Sequence, residues 1–191
     1  ASTGKTTDTC TSKKITAGTN YKATTCEVTL PTITATTGYT TEGWYNASGT
    51  KVTSPYTITK SETLTSRTNI NKYTVTYDYA TNGGTSATKT SATVNYGSSI
   101  DLTPTATKAG YTFVGWNTSK DAKVGLTELT MGNGNITVYA IYKKEVSATF
   151  YYYDGTKQAT TTASCTVYNK EASCNYTLPT VVKNSTGPES S

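Results

Sequence analysis

Histidine is absent from the 191 residues. Without an imidazole there is no Ser/His/Asp or Cys/His nucleophile system, no His-based metal site and no switch titrating near neutral pH. Only 15% of the residues are charged, methionine occurs once and phenylalanine twice. No run of 18 apolar residues exists, so no segment reads as a membrane-spanning helix. The phosphate-cradling GxxxxGK[ST] loop, the DxDxDG calcium loop and the CxxC spacing of a zinc ribbon are all missing. No cofactor and no metal are therefore expected.

What fills the chain is uncharged and polar. Thr occupies about a quarter of the positions, and there are 16 Tyr. β-Branched and aromatic side chains lose rotamer freedom against a preceding helical turn and fit a pleated surface, so the composition predicts a mainly β protein. At 34% hydrophobic the chain suits one medium domain or two to three small ones. The net charge of +5 comes from scattered residues, which reads as solubility charge and not as a nucleic-acid surface. A weak, salt-sensitive attraction to an acidic cell-wall polymer is compatible with it.

Four cysteines permit three pairings. The separations of sixteen and nine positions suit bridges between neighbouring strands, giving Cys10–Cys26 and Cys165–Cys174. Two such staples, one at each end, place the chain outside the cytoplasm.

Sliding the sequence by 72 positions superposes Leu30 on Leu102, Gly38-Tyr39-Thr40 on Gly110-Tyr111-Thr112, Gly43-Trp44 on Gly115-Trp116 and Lys51-Val52 on Lys123-Val124. Without a gap, Leu64-Thr65 then falls on Ile136-Thr137, and Arg67 on Tyr139. The only two Trp share one repeat position, the mark of a duplication. A third copy starts near Lys144, its Cys174 to Pro179 matching Cys26 to Pro31. This predicts a first repeat over 1–71 with its front part missing or irregular, a complete repeat over 72–143, and a third over 144–191 with its front part only.

Alternating patterns predict strands at 73–79, 91–96, 111–116 and 136–142, then 148–153 and a further strand through Cys165 to Tyr168. The Asn82-Gly83-Gly84 run predicts a turn, and a single helical turn near 123–129 is the most helix the pattern allows.

The run Asn82-Gly83-Gly84, Tyr96-Gly97, Pro104, Gly110-Tyr111-Thr112-Phe113-Val114-Gly115-Trp116 and Ile136 to Tyr142 resembles the Listeria–Bacteroides repeat, the B repeat of internalin-type surface proteins. The resemblance implies tandem, β-grasp-like modules of about 70 residues on secreted or wall-attached bacterial proteins, serving as stalk or spacer and sometimes credited with host contact. The first copy departs from it with Thr41 in the place of Phe113, and the cysteines are additions to a usually cysteine-free repeat.

Tyr39, Trp44, Tyr111, Phe113 and Trp116 are read as core, the two Trp being the largest apolar bodies available to small modules. Phe150, Tyr151, Tyr152 and Tyr153 place aromatics on both faces of one strand, and one face reads as an interface. Among the acids, Glu42 falls on Val114 and Glu62 on Gly134, so the repeat preserves no carboxylate pair of the kind a glycosidase needs. The expected function is non-enzymatic: a structural or adhesive stalk segment of a bacterial cell-surface or secreted protein. One alternative is a filament or pilus subunit whose partial repeats complete each other head to tail, the partner being a copy of itself. Another is a module binding host glycan or a receptor through its Tyr-rich strand faces.

Overall fold

The computed structural model describes residues 26–153 and 158–177. Within them the chain is built of strands, turns and loops, with no helix, including at 123–129. Two compact units divide it, the first running to Lys72 and taking in Asn95–Gly97, the second formed by Tyr73–Val94 and the chain from Ser98 onward.

In the first unit, β1 (Cys26–Val28) pairs antiparallel with β4 (Tyr56–Ile58). A three-stranded sheet runs β3 (Lys51–Val52), β2 (Tyr39–Tyr45), β5 (Thr65–Ile70). In the second, β6 (Lys72–Asp78), β8 (Ser91–Asn95), β10 (Thr112–Asn117) and β11 (Ile136–Tyr153) lie in the order β10-β11-β6-β8, while β7 (Ser86–Ala87) pairs with β9 (Ala106–Thr107). The opening and closing strands of the complete repeat are parallel neighbours, Ile136 to Tyr139 lying beside Val75 to Asp78. β12 (Gln158–Tyr168) pairs antiparallel with β11 from Lys143 to Tyr153.

One core serves the second unit. Val75, Tyr77, Ile100, Ala106, Trp116, Met131, Val138, Ala140 and Tyr142 are buried in it, and Phe113, Tyr111, Leu102 and Leu129 pack around them. Period two accounts for most of this. Val75 and Tyr77 on β6 and Val138, Ala140 and Tyr142 on β11 occupy alternate positions and so share one face.

β11 differs from the sequence expectation in being continuous. Strands over 136–142 and 148–153 are one strand of 18 residues. The reason is legible in the phase. Ile136, Val138, Ala140 and Tyr142 are followed, still at even positions, by Val146, Ala148, Phe150 and Tyr152. Only Lys144 interrupts the series, and no Gly or Pro intervenes to end the pairing. Residues 144–177 accordingly extend the second unit as a β11–β12 ribbon and do not form a unit of their own.

The duplication is visible in the backbone, with a correction. Both β2–β5 and β10–β11 carry a bulge at the same place, between Thr41 and Gly43 and between Phe113 and Gly115. Trp44 faces Ser66 as Trp116 faces Ala140, and Tyr45 faces Thr65 as Asn117 faces Tyr139. The closing strand is therefore offset by 74 positions and not 72, so a two-residue gap is needed. Arg67, opposite Gly43, takes the place of Ile141, opposite Gly115; it does not correspond to Tyr139.

Candidate functional site

The repeat signature builds a Trp socket twice. Gly115 has φ +143° and Gly43 φ +132°, a region that side chains other than glycine rarely enter, and each starts the short run that carries the Trp back to the sheet. The indole N–H of Trp116 donates to the Pro104 carbonyl at 2.6 Å, and that of Trp44 to the Pro31 carbonyl at 2.8 Å. Each indole thus keeps a partner for its one donor.

Their surroundings differ. Trp116 is fully buried, with Tyr77 edge-on at 5.1 Å between centroids and Phe113 edge-on at 5.5 Å. Trp44 is only half-buried and lines an open cleft of about 320 Å³ with Leu30, Pro31, Ile33, Thr41 and Val52. Thr41 cannot supply the ring that Phe113 supplies. Tyr39 is 41% exposed, so it lies outside the core expected for it, whereas Tyr111 packs partly buried against the second unit's core. The cation of Arg67 sits 4.0 Å above the Tyr45 ring, which is buried in the first unit.

A second site lies where β11 leaves β6 and meets β12. Between Tyr139, the last residue paired with β6, and Lys143, the first paired with β12, the backbone of β11 needs other partners on that edge. Two buried asparagines supply them. Asn82 Nδ2 donates to the Ala140 carbonyl and to Lys120 O, both at 2.9 Å. Asn169 receives the Tyr142 N–H on Oδ1 at 3.0 Å, donates its own N–H to Tyr142 O at 2.9 Å, and gives Nδ2 to Lys120 O and Ala122 O. Asn117 fixes the same loop from the other side through Val124 O and Ser119 N–H. Asn169 has φ +50°, a conformation Asn tolerates better than most side chains.

Lys108 closes this junction. Its ammonium donates to the carbonyls of Asn82 and Asn169 and lies 3.9 Å from the centre of the Tyr111 ring. Burial, with Lys170 nearby, lowers its pKa. The amine thus faces main-chain carbonyls, while the Asn82 and Asn169 amide groups are engaged with Ala140, Lys120 and Ala122. This is a clamp on the main chain. Outside it is a cleft of about 520 Å³ lined by Thr81, Asn82, Lys120, Asp121, Tyr168, Asn169, Lys170 and Glu171. Lys123 bridges Glu171 at 3.0 Å, and Glu171 also accepts the Tyr168 N–H, which with Lys123 holds its carboxyl below the usual range.

The third site is the ribbon. Val146, Ala148, Phe150 and Tyr152 form one half-buried face with Ala159, Thr161, Ala163, Cys165 and Val167. The other face carries Thr149, Thr160, Thr162 and Tyr151, the last 69% exposed. Cys165 is bonded to Cys174, and two residues further on, Tyr176 is set against Phe150 at 6.0 Å. The expected pairing of Cys26 has its other member, Cys10, outside the described residues, as does the side chain of Tyr153. Among the described residues no cluster of three His, Cys, Asp or Glu could hold a metal ion, and no helix is long and apolar enough to cross a membrane.

Sequence reasoning missed Asn169 and Lys108 and took Asn82 only as a turn former. The available signal was Asn82 inside the repeat's own motif, since an Asn-Gly-Gly turn does not require that its Asn be buried.

Residues 73–141 match the Listeria-Bacteroides repeat domain family. No curated protein and no solved structure matches the chain.

Proposed function

On the footing that residues 73–141 are a Listeria–Bacteroides repeat, we propose that this chain is a non-enzymatic structural segment of a bacterial cell-surface or secreted protein. Its repeats act as a stalk that presents a binding domain away from the cell. The observation that carries the reading is where residues of the repeat's signature are spent: Trp116, Tyr142 and Asn82 are buried in folding contacts, with Tyr77 packed beside Trp116. Nothing in that set is left to meet a substrate. The sheet order β10-β11-β6-β8, with its parallel central pair, is compatible with a grasp-like module in which loops stand in for the helix. The Cys165–Cys174 disulfide favours an oxidising compartment.

The reading is tested in the native protein by exchanging residues 73–141 for an unrelated module of similar size. Surface display and ligand binding survive the exchange if the segment is a spacer; loss of binding with display intact contradicts it. A second reading, glycan binding, is favoured by the exposed Tyr151 ring on a Thr-rich face. Glycan-array binding lost in Tyr151→Ser would promote it.

A further inference from the structure

We propose that copies of this chain complete one another, the apolar face of the β11–β12 ribbon in one molecule covering the open Trp44 cleft of the next. The second unit supplies the template. There β6 presents Val75 and Tyr77 to the core, and the Tyr77 ring closes over Trp116. The ribbon carries the same strand again. Thr74-Val75-Thr76-Tyr77-Asp78-Tyr79 is matched by Ser147-Ala148-Thr149-Phe150-Tyr151-Tyr152, which puts Phe150 at the position of Tyr77. Ser91-Ala92-Thr93-Val94 of β8 is matched by Ser164-Cys165-Thr166-Val167 of β12.

The ribbon thus repeats the hairpin that covers a Trp, yet among the described residues the one ring set against its half-buried Phe150 is that of Tyr176, and no Trp. The first unit has the converse arrangement. Trp44 occupies the socket of Trp116 by register and by its bond to a Pro carbonyl, but no described ring packs on it and its cleft is open. Apart from Glu42 at the cleft wall and Lys144 at the start of the ribbon, neither face is charged, so burial of apolar surface is what association chiefly gains, and salt weakens it little. Among the described residues β10 pairs with β11 only as far as Lys143, so beyond it the ribbon offers a strand edge that a neighbour can extend. Because the two faces are different patches, the contact is heterologous and propagates from molecule to molecule.

This inference rests on the repeat reading but not on the stalk role. The test is sedimentation velocity of the full chain over a range of concentrations, with Phe150→Lys as the variant of the covering face and Ile33→Lys as that of the cleft. Trp44→Ser serves as a second cleft variant, and the buried Trp116 emission reports folding of the second unit in Phe150→Lys. The wild-type chain grows in mass with concentration, each Lys variant associates on the order of tenfold or more weakly, and a mixture of the two stops at dimers. A wild-type chain that stays monomeric overturns the proposal and leaves the stalk reading standing. So do folded variants that associate like wild type, or a mixture that grows beyond dimers.

Discussion

Asn169 holds both main-chain groups of Tyr142, accepting the Tyr142 N–H on its side-chain oxygen at 3.0 Å and donating its own main-chain N–H to the Tyr142 carbonyl at 2.9 Å. That residue lies in the short stretch, Ala140 to Tyr142, where β11 has passed β6 and has not yet reached β12. A single asparagine therefore substitutes for a missing length of strand, its side-chain oxygen accepting where its own main-chain N–H donates.

Asn169→Ala takes the side-chain partner from the Tyr142 N–H and the Ala122 carbonyl, leaves Lys120 O with Asn82 as donor, and forces Ala to φ +50°. The expected loss is about 2–4 kcal/mol. Asn169→Gly loses the same side-chain bonds but accepts the backbone angle, and is expected to be more stable than Asn169→Ala by about 1 kcal/mol. Urea unfolding of the three proteins measures both differences.

Gly115 and Gly125 are packed backbone to backbone, a Cβ on Gly115 falling 3.0 Å from the Gly125 Cα. Gly115 also sits at φ +143°. Gly115→Ala is expected to cost about 2–4 kcal/mol, strain and overlap adding. Gly110, at φ +73° with open space around it, is expected to cost only about 1 kcal/mol on the same change. Equal losses in denaturant unfolding would contradict the close approach.

Burial, with the charges of Asp78 and Tyr79 beside it, pushes the Tyr142 phenol up to about 12. In the unfolded chain a phenol titrates near 10. The folded state therefore holds this proton more tightly, and its contribution to stability is fully present below about pH 10 and is lost as pH rises through the folded value. Tyr142→Phe, which has no phenol, should show a shallower alkaline decline in stability between those limits; an unchanged profile by pH-dependent melting would contradict the burial.

Cys165–Cys174 closes a short loop that contains Asn169. Replacing both with Ser is expected to cost roughly 2–3 kcal/mol through the unfolded chain. Hydrogen exchange should quicken first over residues 158–168, with amides of β6 and the adjoining part of β11 least affected. Uniform quickening would mean that ribbon and core open as one.

Much of the fold was legible in the sequence. Tyr73 to Tyr79 and Ile136 to Tyr142 alternate so cleanly that strand and inward face follow together, and Gly115-Trp116 marks the socket through its match to Gly43-Trp44. The continuity of β11 was also present, in the unbroken phase across Lys143-Lys144-Glu145, though charge there reads as a loop. Two things were not fully legible. The 74-residue offset of the closing strand depends on the length of an intervening loop, and Thr-rich strands give no sharp register to detect a two-residue shift. The difference between Trp44 and Trp116 was legible only in part: Thr41 in the place of Phe113 shows in the sequence, but Tyr77 comes from another strand and reaches Trp116 by tertiary packing. Likewise the role of Asn169 exists only because β11 changes neighbours, which no local pattern announces.

The central claim is that one repeat is finished and the other is open, and the emission of the two Trp tests it most directly. Acrylamide quenching of dilute wild-type protein and of Trp44→Phe isolates Trp116 in the variant and Trp44 in the difference. The account predicts a blue-shifted, quencher-resistant Trp116 and a red-shifted, readily quenched Trp44. Equal protection of the two would contradict it.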